Sequence, residues 1–553
     1  MQRPDWQIQA LQADQLLTQD RLDEAAGQAR ESLRLNPESA VALHVLGMVD
    51  WRRGRPHDAI GRFRRALEIR PDLAAAHNGL GLGLAQLGDH DGALREYELA
   101  LILKPDHPHA RFNRAMQLLR RGRYQDGWVE YEWRWASGQL TWPEIPRPKW
   151  DGSPLNGRSL LVHTEQGVGD VVMFLRFLAR VKRQPADRLV FACQKALQPL
   201  LRRIPWVDRW FPIDEPAPID FDVYIPMLSL PGVLGLGAAE IPFPVPYVSP
   251  DLDQLEKWRP RIAALPGRKV GVCWQGSPTF KGDPFRSIPL AEFAPLARVP
   301  VVTLVSLQKQ AGEKQIAANR EAVPLTLFPD LDAAAPFVDT AAAMQHLDLV
   351  ITSDTAVAHL AGALGRPVWV ALGMDCDWRW GIDRPNSPWY PTMRFFRQKS
   401  FHDWPGVFAE MATALQMGEC LAAPPLDRTF TPDCPVSAGE LIDKITILEI
   451  KLVRIGDEAK RANIRRELEL LRTVQLPPSA ELVVLSAELK AVNERLWEVE
   501  DEIRRCDSAG DFGDRFIALA RSVYRANDDR AALKRRINDF LRSVIVEEKS
   551  YSS

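Results

Sequence analysis

The chain lacks the features that mark membrane-spanning, secreted disulfide-rich or fibrous proteins. Among its 553 residues, no apolar run approaches the roughly 18 residues that a membrane helix needs. The first residues carry no basic-then-apolar leader pattern. Only six cysteines are present, without a C-x-x-C pair or the spacing of metal ligands. We therefore expect reduced thiols, no metal site, no membrane span and a cytoplasmic location.

An excess of charge of one sign is also missing. The 70 Lys and Arg residues and the 72 Asp and Glu residues give a net charge of -2, so no global basic field favours nucleic acid. Hydrophobic residues make up 46% and charged residues 26%, as in ordinary soluble domains. We expect a folded multidomain protein that does not bind nucleic acid.

A repeat with a period of 34 residues opens the chain. Two columns show it: Pro37, Pro71 and Pro105, and Gly54, Gly88 and Gly122. Small residues (Ala59, Ala93) and aromatic residues (Phe63, Tyr97) recur with the same spacing. This pattern is that of tetratricopeptide repeats, in which small residues let paired helices approach. It predicts an α-solenoid of four units over residues 1–138, whose concave face docks a protein.

The fourth unit runs into a segment rich in tryptophan and proline. Five tryptophans crowd together at Trp128, Trp133, Trp135, Trp142 and Trp150. Prolines within 139–157 prevent the helix from continuing, so we interpret that range as a linker. We expect the indole cluster to seal the last repeat against the following domain. Stacking of these rings on a sugar is the alternative.

From residue 158 the pattern changes to alternating strands and helices, which predicts parallel α/β layers. The strand candidates are residues 159–164, 188–193 and 222–226, and then 269–274, 301–307, 347–353 and 367–372. A proline-rich stretch separates the two groups. We therefore expect two Rossmann-like lobes, residues 158–245 and 246–418, facing a cleft. Ligands bind such sheets at the carboxyl ends of their strands.

The loop Glu165-Gln166-Gly167-Val168-Gly169-Asp170 follows the first predicted strand. Its glycines allow a sharp turn and leave helix-terminal N–H groups open to a ligand. Asp170 would lie at the start of the next helix, close enough to the cleft to accept a proton. The alternative is an aspartate that only caps this helix.

A second loop, residues 274–287, follows the first strand of the second lobe. It contains Gly276 and two cations, Lys281 and Arg286. Arginine can bind a diphosphate with its two-pronged guanidinium, and lysine binds it as a point charge. Two cations in a loop are weak support for a diphosphate site on their own.

A third segment follows the strand at 347–353 and starts a helix with Asp354 and Thr355. Thr355 and His359 are four residues apart and share one helical face. The N–H groups and dipole at a helix start favour an anionic phosphate. The alternative for His359 is a packed histidine in an alanine-rich helix.

Together these segments resemble glycosyltransferase family 9, the ADP-heptose type of bacterial glycosyltransferases, and its repeat-bearing relatives. EQGVGDVVMFLRFL is similar to the N-lobe loop and helix of that family, and SDTAVAHLAGALGRPVWVALG is similar to its nucleotide-sugar signature. SLQK (306–309), DWRW (377–380) and SPWYPT (387–392) resemble the repeat-bearing subgroup. The resemblance covers residues 4–415. It implies a GT-B fold, inverting transfer from a nucleotide sugar, and no metal or other cofactor.

The resemblance also implies roles for individual residues. Asp170 is the implied general base. Lys281 and Arg286, with Gly276 beside them, would stabilise charge on the leaving group. Asp354, Thr355 and His359 would hold the phosphate and ribose. The further cleft candidates are Glu165, Gln166, Gly169, Gln308, Lys309, Trp378 and Trp380.

Two positions qualify these assignments. Ala356 stands where family members often have glycine, so the donor nucleotide and sugar stay open. Asp375-Cys376-Asp377 spells the metal-binding D-x-D triplet of the other glycosyltransferase fold, and we interpret it as a coincidence.

The remaining chain divides into a proline-marked linker, residues 419–435, and a helical domain, residues 436–553. Apolar residues alternate there at three and four residues, at Leu482, Leu485, Leu489 and Val492 among others. This spacing predicts a helical hairpin or coiled coil. The segment PVSAGELIDKITILEIKLVRI resembles a bacterial helical domain of unknown function, for which we expect dimerisation or partner docking.

Three functions remain open from the sequence. The first is a glycosyltransferase that modifies a protein docked on the repeats, such as flagellin or another surface protein. The second transfers sugar to lipopolysaccharide or another surface glycan, with repeats that recruit assembly partners. The third is a repeat scaffold whose transferase lobes are inactive.

Overall fold

The computed structural model divides into two compact units, residues 1–429 and 430–553. The structure describes the following residues: 3–138, 145–181, 187–213, 215, 221–241, 244–280, 282–418, 437–472, 474, 479–541 and 543.

The first unit opens with four pairs of antiparallel helices. They are α1 (Asp5–Thr18), α2 (Leu22–Leu35), α3 (Ala40–Arg52), α4 (Pro56–Ile69), α5 (Ala74–Gln86), α6 (His90–Leu103), α7 (Pro108–Arg120) and α8 (Tyr124–Tyr131). The turn inside each later pair needs a left-handed residue, which Gly54, Gly88 and Gly122 supply at φ +69°, +83° and +74°. Asp20 occupies the same column of the first pair at φ 63°.

The small and aromatic columns fit into one another, as the repeat pattern predicts. A methyl group at Gly47 would lie 2.6 Å from the Phe63 ring, and one at Gly81 would lie 2.5 Å from the Tyr97 ring. Both rings are buried. The tetratricopeptide solenoid is therefore confirmed, with glycine required where an aromatic ring meets the neighbouring helix.

The first α/β lobe has a parallel sheet of four strands in the order β3-β2-β1-β4. Its strands are β1 (Ser159–His163), β2 (Arg188–Cys193), β3 (Arg209–Pro212) and β4 (Val223–Pro226). Its helices are α9 (Val168–Val181), α10 (Gln198–Leu201) and α11 (Leu230–Val233). Helix α9 follows β1 directly, so its first turn lies at the carboxyl edge of the sheet.

The second lobe has a parallel sheet of five strands in the order β6-β5-β7-β8-β9. Its strands are β5 (Arg268–Cys273), β6 (Val302–Ser306), β7 (Leu349–Ser353), β8 (Val368–Leu372) and β9 (Met393–Arg397). Its helices are α12 (Leu252–Ala263), α13 (Asp283–Arg286), α14 (Ala294–Ala297), α15 (Val338–Met344), α16 (Ala356–Ala363) and α17 (Trp404–Gln416). A short 3-10 helix, Trp378–Trp380, follows β8.

The two-lobed parallel α/β architecture is confirmed, with all seven predicted strands present. Two edge strands, β3 and β9, were not predicted. Strand β3 has only four residues, which are exposed or half-buried. In β9 two arginines interrupt the apolar run, and their guanidinium groups lie over rings: Arg394 over Phe396 at 4.6 Å, and Arg397 over Phe395 at 5.2 Å.

The last repeat shares its core with both lobes. Trp128 on α8 lies 6.3 Å from Phe174 of the first lobe and 5.3 Å from Trp378 of the second, measured between ring centroids. Its indole N–H donates to the carbonyl of Leu236 at 3.2 Å. The expectation that this cluster seals the repeats against the next domain is confirmed for Trp128. Trp142 lies outside the described residues.

The second unit is helical, with α18 (Ala438–Arg454), α19 (Glu458–Arg472), α20 (Ala480–Ala509) and α21 (Asp514–Phe540). Helices α20 and α21 form the predicted hairpin, and α18 packs against both. Asp443 is only 1% exposed. It accepts hydrogen bonds from Arg530 at 2.9 Å and from Asn493 at 2.8 Å, which ties three helices together.

Within the described part of the chain, no helix is both long and apolar enough to cross a bilayer. The described cysteines Cys193, Cys273, Cys376 and Cys506 are buried thiols. The predicted linker at 419–435 and the cysteines within it lie outside the described residues.

Candidate functional site

The starts of helices α9 and α16, one from each lobe, touch. A methyl group at Gly169 would lie 2.8 Å from Cδ2 of His359 and 3.5 Å from Cα of Ala356. Only glycine permits this approach without a shift of one helix. The contact places Asp170, the next residue, beside the predicted phosphate-binding helix start.

Asp170 does more than cap its helix. Its Oδ2 accepts a hydrogen bond from the Gly167 N–H at 3.0 Å, and its Oδ1 accepts one from Nη2 of Arg379 in the other lobe. Burial raises the pKa of this carboxyl above its ordinary value, against the opposing charge of Arg379. A carboxylate with a raised pKa is a stronger general base than one exposed to water.

Arg379 joins the two lobes at this point. Its Nη1 donates to Asp377 at 2.7 Å, and its Nη2 donates to Asp170. The guanidinium lies 4.5 Å from the centroid of Trp378 and 5.9 Å from that of Phe174. The buried Arg379 guanidinium therefore binds one carboxylate from each lobe and lies between one aromatic ring from each lobe.

Asp354 lies within electrostatic range of the same groups. Burial and the charge of Asp377 raise the pKa of Asp354 to about 6, whereas Arg286 and Arg379 lower it. Near neutral pH this carboxyl therefore gains or loses its proton readily. An anion that bound beside Asp354 would favour its protonation, because like charges repel.

His359 is a neutral, buried imidazole. Its Nδ1 lies 3.0 Å from the hydroxyl of Tyr390, and its ring stacks on Trp380 with centroids 4.9 Å apart. Burial, followed by the charge of Arg379, holds its pKa well below the ordinary value. This ring can hydrogen-bond a ligand but brings no positive charge to the site.

Thr355 is the residue before α16, and its side chain points into the lobe. The hydroxyl lies 3.0 Å from that of Thr352 and 3.9 Å from Sγ of Cys273. Thr355 as a whole residue is only 6% exposed. What this position can offer a phosphate is therefore its backbone rather than its hydroxyl.

The loop after β5 holds Arg286 against a glycine. A methyl group at Gly276 would lie 2.6 Å from Nη2 of Arg286. The Arg286 guanidinium also lies 4.4 Å from the Phe280 ring centroid and 3.4 Å from Asp283. Its only described carboxylate partner is thus a long, poorly matched contact. Lys281 lies outside the described residues.

Three predicted cleft residues are instead used inside the fold. Glu165 forms a two-pronged ion pair with the buried Arg134 of the repeat side, at 2.8 and 3.1 Å. Gln308 accepts hydrogen bonds from the N–H groups of residues 274 and 275 at 3.0 and 2.9 Å. Trp378 packs on Trp128. We therefore assign these three side chains to positioning of the strand ends.

The other cleft candidates differ from one another. Gln166 reaches the Tyr131 hydroxyl at 3.4 Å, and Trp380 supports His359. Lys309 is half-buried; its carbonyl accepts from the Gln308 side chain at 2.8 Å, and its ammonium has no hydrogen-bond or ion-pair partner within the described ranges. Lys309 therefore keeps its charge available.

Both carboxylates of the Asp375-Cys376-Asp377 triplet are paired with buried arginines. Arg120 of α7 binds Asp375 at 2.9 Å, and Arg379 binds Asp377 at 2.7 Å. Among the residues that the structure describes, no group of three or more His, Cys, Asp or Glu side chains is arranged to hold a metal ion.

Sequence reasoning missed the arginines that organise this region, above all Arg379. The segment DWRW was noted for its two tryptophans. A cation two residues after Asp-x-Asp, with a tryptophan on each side in the sequence, was the available signal, because arginine pairs with carboxylates and stacks on aromatic rings.

The comparisons with known proteins agree with the repeats and the tail. Residues 44–108 and 81–131 match the tetratricopeptide repeat family, and residues 433–553 match a family of unknown function (DUF6165). The chain is 30% identical over 325 residues to Protein FlbA of Caulobacter vibrioides, which is 53% of this chain and 53% of that protein. The chain thus spans about half the length of this curated relative.

Two solved structures are also similar to parts of this chain. A mutant of the Thermobaculum terrenum O-GlcNAc transferase is 16% identical, with 76% of this chain and 93% of that chain covered, at a TM-score of 0.31. A glycosyl transferase family 9 protein from Veillonella parvula is 12% identical, with 49% and 99% covered, at a TM-score of 0.38.

Proposed function

We propose that this protein is a glycosyltransferase that moves a sugar from a nucleotide sugar to a protein docked on its repeats. The observation that carries the proposal is the meeting of two helix starts from opposite lobes. It puts a half-buried carboxylate, Asp170, next to Arg379 and beside the start of α16, which has no side-chain cap. A base and an anion site within one cleft are what transfer from a nucleotide sugar requires.

The proposed reaction is a single displacement with inversion. The acceptor oxygen attacks the anomeric carbon of the donor sugar, and its proton passes to Asp170. The bond between that carbon and the phosphate oxygen breaks, and the nucleotide leaves with the bonding electrons. Arg286 and the start of α16 stabilise the negative charge that develops there.

We further propose that the reaction needs no metal ion. The support is the pairing of the two D-x-D carboxylates with Arg120 and Arg379, which leaves neither carboxylate poised as an open ligand. Arginine supplies the positive charge that a divalent cation provides in other transferases. Chelator treatment is therefore expected to leave transfer unchanged, whereas dependence on Mg²⁺ or Mn²⁺ would contradict this part of the proposal.

The repeats supply the acceptor, in this proposal, by raising its local concentration at the cleft. Two contacts that hold the repeats against the lobes support this: Trp128 packs between the two lobes, and Arg120 donates to the Cys376 carbonyl of the second lobe. Deleting the repeats would expose this shared core, so deletion cannot separate docking from folding. Flagellin or another surface protein is the proposed acceptor class.

A two-stage experiment tests the function. Thermal shifts with UDP, GDP, ADP and CMP identify the donor nucleotide, and a labelled sugar of that nucleotide is then incubated with protein and cell lysate. We expect label in protease-sensitive material, lost in Asp170→Asn and kept in the exposed control Asp72→Asn. Label in protease-resistant glycan would instead indicate a surface-glycan transferase. Binding of no nucleotide would indicate a scaffold.

A further inference from the structure

Arg379 has a partner in each lobe, and the two contacts differ in kind. The guanidinium bond to Asp377 spans two residues of the same loop, and the same carboxylate also caps the 3-10 helix by accepting from the Arg379 backbone N–H. The bond to Asp170 spans 209 residues and crosses the cleft. When anything changes at the cleft, the local bond can persist while the cross-lobe bond breaks.

The guanidinium is buried without being fully satisfied. Arg379 is 5% exposed, and its Nε has no hydrogen-bond partner among the described residues. A buried N–H without an acceptor costs free energy. A ligand oxygen that reached this group would therefore gain a donor that the free protein leaves unused.

The pairing with Arg379 weakens Asp170 as a base. A guanidinium bonded to a carboxylate stabilises the charged form and lowers its proton affinity. With Gly167 on the other oxygen, each oxygen of Asp170 already has a donor. Asp170 therefore becomes a stronger base when Arg379 takes another partner.

A diphosphate is the anion that can draw Arg379 away. It carries more charge than a carboxylate and offers several oxygens to the arginine fork. Arg379 and Arg286 both act on His359 and Asp354 through space, so both cations are within range of the proposed phosphate position at α16.

We propose that Arg379 is exchanged between the base and the donor: it binds Asp170 in the free protein and a phosphate oxygen of the nucleoside diphosphate in the complex. The exchange frees Asp170 to accept the acceptor's proton only when a donor is present. This proposal rests on the proposed function, because it takes the anion to be the donor's diphosphate.

The exchange predicts a gain of affinity from an unusual substitution. Asp170→Asn removes the competitor for Arg379, so the nucleoside diphosphate should bind about tenfold more tightly, the ratio that corresponds to one charge-assisted hydrogen bond. Removal of a negative charge can tighten binding by itself, so the same change is also made in Arg379→Ala. There the gain should fall to about twofold or less.

Calorimetry at fixed ionic strength measures the four proteins of this cycle with UDP, GDP, ADP and CDP. The matched control is Arg384→Ala, which removes a nearby arginine whose partner is Asn386 rather than a carboxylate. In that background the tenfold gain from Asp170→Asn should persist. If Arg379→Ala does not fold, Arg379→Gln replaces it with the same expectation.

Each outcome decides one point. Equal gains in the presence and absence of Arg379, or no gain at all, would overturn the exchange while the proposed function stands. Binding of CMP but of no nucleoside diphosphate by the unsubstituted protein would overturn the exchange alone. Binding of no nucleotide at all would overturn the proposed function and the exchange together.

Discussion

Replacement of Asp354 by asparagine tests the electrostatics of the site without any substrate. Burial raises the pKa of this carboxyl from 3.8 to about 6, so the folded protein binds a proton there that the unfolded chain releases. Stability from this group is then fully present below pH 4 and is lost as the pH rises through 6. Asparagine has nearly the same shape and no such dependence.

The expected size follows from these two pKa values. Between pH 5 and pH 8 the unsubstituted protein loses about 1.4 kcal/mol of unfolding free energy through Asp354. The stability of Asp354→Asn relative to the unsubstituted protein should therefore rise by about 1.4 kcal/mol over this interval. This difference does not depend on what the substitution itself costs, because that cost is present at both pH values.

Urea titration followed by tryptophan fluorescence measures the effect. Of the 17 tryptophans, all but Trp497 precede residue 430, so the signal reports the first unit. Asp72→Asn, at an exposed turn between repeats, is the control for the chemical change. A relative stability of Asp354→Asn that stayed constant between the two pH values, or fell, would refute the reasoning.

Three further substitutions probe packing, two near the site and one within the second unit. Gly169→Ala places a methyl group 2.8 Å from His359 and should cost about 1–3 kcal/mol of unfolding free energy; a stability equal to that of the unsubstituted protein in urea would show that the helix starts can separate freely. Trp128→Ala should cost about 3–5 kcal/mol of unfolding free energy, and unfolding should still occur in a single fluorescence transition. Two separate transitions would mean that the repeats and the lobes unfold independently. Asp443→Ala leaves Arg530 without its carboxylate and should cost the second unit about 3 kcal/mol, which circular dichroism on heating would detect as a lower melting temperature. If the tail dimerises, sedimentation of the full chain against one that ends before residue 430 should show loss of a dimer; identical monomers would contradict dimerisation and leave partner docking as the predicted role.

The repeats and the sheet strands could be predicted because their signals are local and periodic. A glycine needed every 34 residues, or a short apolar run after a turn, is visible without knowledge of the rest of the chain. Asp170 was predicted for the same reason, since a glycine-rich loop after a strand places the next polar residue at a helix start.

The partners of the site residues could not be predicted, because they come from distant parts of the chain. Glu165 meets Arg134 across a domain boundary, and Asp170 meets Arg379 across the cleft. A sequence shows that these side chains are charged but not which opposite charge burial will pair them with. The edge strand β9 was not predicted because its two arginines interrupt the apolar pattern; in the fold they lie over phenylalanine rings of the same strand.

The repeats are attached to the lobes along most of the array rather than only at its last unit. Gly54 of the second repeat lies beside Phe285, Gly88 of the third beside Met374, and Trp128 of the fourth between the lobes. Phe285 directly precedes Arg286 of the proposed anion site. A change in how the repeats stack would therefore move the loop that holds Arg286.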